Sequence, residues 1–103
     1  MIVVRFAVRC QPDKTAEMAA AMQAVVVAAR ELPGVLHFDI ARDLTDDDRL
    51  IATEVFEDRE AMAREEAIAE VARVIELMQA GALAGAPEWT IFEVASAESP
   101  SFG

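Results

Sequence analysis

Glu65 stands where chemistry is most easily placed in this chain. A helical stripe reads Ala61, Glu65, Ile68, Ala72, Ile75, with Glu65 four residues after Ala61 and three before Ile68. A carboxylate on such a stripe points toward a sheet or its rim. Partial burial raises the pKa of a carboxyl, which then works as a general base near neutral pH. The competing reading has Glu65 reaching the helix edge to pair with Arg64 or Arg9. Glu66 and Glu70 fall off the stripe and read as solvated. A second polar set, Arg5, His37, Asp39, Glu54 and Glu93, shares alternating strand positions with apolar residues. It reads either as a polar site inside a closed assembly, with Arg5, His37 and Glu54 as its members, or as an ion-pair network across a subunit interface. Cys10 has no histidine beside it, and Asp46-Asp47-Asp48 lacks the glycine and later glutamate of a calcium loop. Met18, Met22, Met62 and Met78 read as core filler. Phosphate loops, dinucleotide-binding glycines and zinc spacing are missing, so neither a metal nor a cofactor is expected.

The elements that must hold these residues follow from periodicity. Residues 2–10 alternate, with Ile2, Val4, Phe6 and Val8 on one face and Val3, Arg5, Ala7 and Arg9 on the other, which is a strand. Asp13 is placed to cap a helix whose apolar stripe is Met18, Met22, Val25, Ala29 and Leu32, ended by Pro33-Gly34. Strands at 35–42 and 49–56 flank an aspartate-rich turn and form a hairpin. Asp58 caps a second helix over about residues 59–80, with a break allowed, and a last strand covers 88–95. The order β-α-β-β-α-β, with right-handed crossovers, predicts a ferredoxin-like α+β domain over residues 1–95: a four-stranded antiparallel sheet with helices on one face. A polar tail at 96–103 follows.

Sorting the strands by face predicts that Ile51, Thr53, Val55, Thr90 and Phe92 join Ile2, Val4, Phe6 and Val8, with Leu36, Phe38 and Ile40, under the helices. The other face then holds Leu50, Ala52, Glu54, Phe56, Trp89 and Ile91 together with Arg5 and His37. A face that apolar, with charges of both signs, predicts a second sheet packed on it in a homodimer.

The chain has 103 residues, 54% of them hydrophobic and 27% charged, which fits one folded domain and excludes a disordered one. Its formal net charge of −10 disfavours nucleic acid and anionic membrane surfaces as partners. No apolar run approaches the roughly 20 residues of a membrane span. The arginines of the first ten residues lie inside the apolar run, unlike those of a signal peptide. With a single cysteine, the expected location is the cytoplasm.

The segments Glu31-Leu-Pro-Gly-Val-Leu-His-Phe-Asp-Ile-Ala-Arg-Asp43 and Arg49-Leu-Ile-Ala-Thr-Glu-Val-Phe-Glu-Asp-Arg-Glu-Ala-Met62 resemble the antibiotic biosynthesis monooxygenase family. The resemblance lies in a Pro-Gly turn before an aromatic strand, and in a Glu-x-aromatic strand end before an Ala-aliphatic helix start. It implies a dimeric α/β barrel with an apolar pocket lined by Phe6, Phe38, Phe56 and Glu65. It also implies cofactor-independent oxygenation of a small aromatic or quinol, with a non-catalytic small-molecule-binding barrel as the alternative. Members often carry histidines on the second helix, where this chain has Glu65 and Glu70, and its only histidine is His37 on a strand. The haem-degrading branch needs asparagine, and this chain has none. A helix histidine base and haem degradation are therefore both excluded.

Overall fold

The computed structural model describes residues 1–102; the last residue of the expected tail, Gly103, lies outside them. Strand β1 (Ile2–Arg9) leads into helix α1 (Thr15–Ala29), then the hairpin β2 (Val35–Asp43) and β3 (Asp46–Phe56). Helices α2 (Arg59–Glu66) and α3 (Ala69–Gln79) precede β4 (Glu88–Glu93). The four strands form one antiparallel sheet in the order β2-β3-β1-β4, with α1 and α3 packed on each other across one face. This is the ferredoxin-like arrangement.

On α1, Met18, Met22, Val25 and Ala29 are buried at the expected spacing. They meet Ile2, Val4 and Val8 of β1 in the core. Each large aliphatic side chain withdrawn from water this way contributes roughly 1.5–3 kcal/mol. Asp13 does not cap α1. The cap position is Lys14, with no side-chain hydrogen bond, and the Thr15 hydroxyl instead donates to Asp48 at 2.7 Å. Asp58 does cap α2, accepting from the Ala61 amide at 2.9 Å. The aspartate run is also less loop-like than expected, because β3 begins at Asp46 and the reversal is tighter. Asp43 closes it by accepting from the amide and hydroxyl of Thr45.

The strand faces are partly exchanged relative to expectation. The β1–β3 register pairs Ile2 with Phe56, Val4 with Glu54, Phe6 with Ala52 and Val8 with Leu50. Directly paired residues share a face, so Leu50, Ala52, Glu54 and Phe56 lie under the helices. Ile51, Thr53 and Val55 go to the open face. Strand β4 follows suit, since Phe6 pairs with Trp89 and Val4 with Ile91. The open face therefore carries Val3, Arg5, Thr53, Val55, Thr90 and Phe92, with His37 beside Val55.

The second helix is two helices. The chain leaves α2 at Ala67 and passes through Ile68 in an extended conformation (φ −74°, ψ 152°) before α3 begins. This break resets the helical phase. Val74 and Leu77 are the buried residues of α3, while Ala72 is exposed and Ile75 is 42% exposed. The start of α2 is seated on Gly34, whose φ of +82° is open chiefly to glycine. A Cβ there would lie 2.6 Å from the Cβ of Ala61.

Candidate active site

A cavity of about 320 Å³ opens between the sheet and the helices. Its floor is Val4 and Phe6 of β1, Phe38 and Ile40 of β2 and Ala52 of β3. Met22 and Val25 of α1 form one wall, and Val71, Val74, Ile75 and Met78 of α3 form another. Trp89 of β4, 60% exposed, stands at the mouth. The polar lining consists of Glu54, Glu65 and Glu66.

Strand β3 and helix α2 bring Glu54 and Glu65 together. Glu65 is 4% exposed and Glu54 half-buried, and their carboxyl groups hydrogen-bond to each other. Burial pushes the Glu54 carboxyl up to about 8, assisted by the charge of Glu65, the shared hydrogen bond and the charge of Glu66. Burial also raises Glu65, to about 7, with the charge of Glu66 adding to it and the bond to Glu54 opposing it. Burial thus raises both carboxyls, and the shared bond holds one proton between them. The two groups titrate as a unit, and near neutral pH the pair carries about one negative charge. A singly protonated pair keeps its proton in the shared bond until a ligand competes for it, and leaves acceptor oxygens free beside it.

Among the described residues no cation pairs with Glu54 or Glu65. Arg64 turns away from its neighbour Glu65 to donate to the Pro33 carbonyl at 3.1 Å. Arg9 is bound to Asp46 at 2.8 Å. Both partners expected for an edge-seeking Glu65 are thus engaged elsewhere, and the side chain stays inside.

The other predicted site residues are distributed as follows. Phe6 and Phe38 line the cavity with Glu65. Phe56 does not; it is fully buried, with its ring set edge-on to that of Phe38 at 6.5 Å between centroids. It flanks the pocket floor through that contact with Phe38. Glu54 is separated from Arg5 and His37, because the β1–β3 register turns it to the helix side. Arg5 and His37 remain exposed on the open face. Sequence reading missed the Glu54–Glu65 pair and the mouth residue Trp89. A usable signal was present: Glu54 and Phe56 are two residues apart, so any argument that buries Phe56 under the helices carries Glu54 with it. Among the described residues no group of His, Cys, Asp and Glu side chains has the geometry to hold a metal ion.

Comparison with known proteins gives a consistent family signal. The profile of the antibiotic biosynthesis monooxygenase family matches residues 1–77. No curated protein matches the chain. Among solved structures, a candidate antibiotic biosynthesis monooxygenase from Nitrosomonas europaea superposes with a TM-score of 0.84 at 21% identity, covering 93% of this chain and 100% of that one. A second candidate of that family, from Deinococcus radiodurans, gives a TM-score of 0.86 at 18% identity, covering 99% and 100%. A conserved protein from Methanosarcina mazei gives 0.78 at 15% identity, covering 88% and 89%. At these identities the structural likeness speaks for the fold.

Proposed function

The chain belongs to the antibiotic biosynthesis monooxygenase family, and from that premise we propose that it oxygenates a small aromatic or quinol without a cofactor, with Glu65 as the general base. The observation that carries the reading is a raised-pKa carboxyl pair in an otherwise apolar cavity. An apolar cavity of this size suits a ligand of one or two rings. The ionised Glu65 takes the phenolic proton, and the proton on Glu54 turns from Glu65 to the ligand and donates to the oxygen that becomes anionic. The phenolate then passes an electron pair, in single-electron steps, to O₂. The ring carbon para to the oxygen gains a C–O bond, losing its hydrogen as the peroxide expels water. Phenol plus O₂ thus gives quinone plus one H₂O, and the substrate is the sole reductant.

A second copy of the chain is part of this reading. The open face carries Phe92, 47% exposed, with Val3 and Val55 beside it. Packing that face on its equivalent in a homodimer would withdraw it from water. The composition, with one cysteine, supports a cytoplasmic setting. Among the described residues no helix is long and apolar enough to cross a membrane.

Oxygen consumption with a panel of quinols and polyhydroxy-aromatics tests the activity. At least one should be consumed well above the uncatalysed rate, and Glu65→Gln should lower that rate by about 10²-fold or more. If no compound is oxidised, the reading of a non-catalytic binding barrel replaces this one. That alternative draws on the same cavity, whose polar lining consists of carboxyls.

A further inference from the structure

We propose that the cavity selects a ligand carrying a basic nitrogen, an ammonium group attached to the aromatic body, and rejects anionic ligands of the same shape. The inference rests on the cavity described above and adds to its reading the class of substrate.

The first observation is the sign of the lining. Glu54, Glu65 and Glu66 are its charged residues, with no lysine, arginine or histidine among them. The second is that the chain commits its cations elsewhere. Arg30 pairs with Asp39, Arg49 with Asp43 and Glu88, Arg59 with Glu93 and Arg73 with Glu17. Arg42 donates to the Asp47 carbonyl, and Arg9 and Arg64 are engaged as described. Arg5 projects from the open face and Lys14 holds the cap position before α1. The third is that Glu65, nine-tenths buried and lining the cavity, has another acid as its side-chain partner.

A buried carboxylate without a cation is costly, and proteins normally supply the counter-charge. Here the space beside the pair is a cavity, so the counter-charge can arrive with a ligand. An ammonium seated against Glu65 gains an ion pair in a low-dielectric site. Its apolar body covers Phe6 and Phe38, and the face of Trp89 at the mouth offers a further cation-accepting surface. An anionic ligand meets three acids and no compensating donor except the shared proton. Because a cation favours the ionised carboxyl, binding near neutral pH should release protons from the pair.

The test is anaerobic titration calorimetry at pH 7 with three catechols of one shape: 3,4-dihydroxyphenethylamine, 3,4-dihydroxyphenethyl alcohol and 3,4-dihydroxyphenylacetate. The amine should bind at least about tenfold more tightly than the alcohol, and the carboxylate should give no measurable heat. Repeating the amine titration in buffers of different ionisation enthalpy should show proton release. Glu65→Gln, and separately Glu54→Gln, each checked for folding by circular dichroism, should narrow the amine-to-alcohol ratio to about threefold or less. The proposal is overturned if the alcohol binds as tightly as the amine, if the ratio survives both variants, or if the amine shows no binding at millimolar concentration. Oxygen consumption separates this from the activity. Oxidation of the alcohol without preference for the amine sinks the selectivity and leaves the oxygenase. Amine preference without oxygen consumption does the reverse.

Discussion

Replacing Glu65 by leucine should stabilise the fold, and the gain should depend on pH. Burial raises the Glu65 carboxyl from 4.5 to about 7, so the folded chain binds its proton more tightly than the unfolded chain does. Below about pH 4.5 the group is protonated in both states, and the tighter proton binding has no effect on stability. As pH rises, the unfolded chain releases the proton first, and wild-type stability falls until the folded group has also ionised, near pH 7 to 8. Each tenfold difference in proton affinity between the two states is worth about 1.4 kcal/mol, and sharing the proton with Glu54 blunts the full difference, which leaves on the order of 2 kcal/mol. Leucine removes that loss and fills apolar space, so its advantage should grow by about 2 kcal/mol between pH 4.5 and 8.5. With a urea slope of about 1–3 kcal/mol/M, the midpoint difference between variant and wild type should widen by roughly 1 M over that range. The assay is urea unfolding at fixed protein concentration at both pH values, since an associating chain gains stability with concentration. Carboxyls away from the pair, such as Asp43, which its bonds to Thr45 and Arg49 hold down at about 2, cancel in the difference. A pH-independent advantage, or a wild type more stable than the variant at pH 8.5, would refute the claim that the pair is buried without a cation.

Other outcomes can be checked alongside. Gly34→Ala forces a side chain into a left-handed backbone against Ala61 and should cost about 2 kcal/mol or more, read by thermal unfolding. Asp58→Ala removes the cap of α2 and should cost about 1 kcal/mol by the same measurement, with Asp58→Asn recovering most of it. Phe92→Lys places a charge on the open face; light scattering should show the proposed homodimer dissociating at micromolar concentration while the monomer remains folded.

The element order and the α1 stripe were legible because they rest on local signals: alternation in Ile2–Val8, the Met18–Ala29 spacing and the Pro33-Gly34 stop. The faces of β3 and β4 were not. Both sides of residues 50–56 in β3 are largely apolar, Leu50, Ala52 and Phe56 against Ile51 and Val55, and the one charge in that stretch, Glu54, argued for the wrong side. Binary patterning assumes that charges face out, and it fails where a charge is placed inside, which is the expected behaviour of a functional position. The phase of α3 was misread for another reason. The series Ala61, Glu65, Ile68, Ala72, Ile75 presumes one continuous helix, and the extended Ile68 breaks it. That left Glu65 correctly directed inward and Ala72 and Ile75 misplaced. The Glu54–Glu65 meeting depends on long-range register, which no local pattern encodes.

Cys10 gives the fold a built-in clock. It is 1% exposed at the end of β1, its amide donates to the Asp48 carbonyl, and it bridges Leu83 in the segment joining α3 to β4. Burial also pushes its thiol pKa up, which lowers the thiolate fraction. A disulfide reagent can therefore reach it only when that segment lifts. As Cys10 is the chain's sole cysteine, the colour released by such a reagent would report a single event. If the rate saturates with reagent concentration, its plateau is the opening rate itself; if it stays proportional, the slope gives the fraction of time spent open. The segment that delivers Trp89 to the mouth of the cavity can thus be timed in the unmodified protein, with and without a ligand in place.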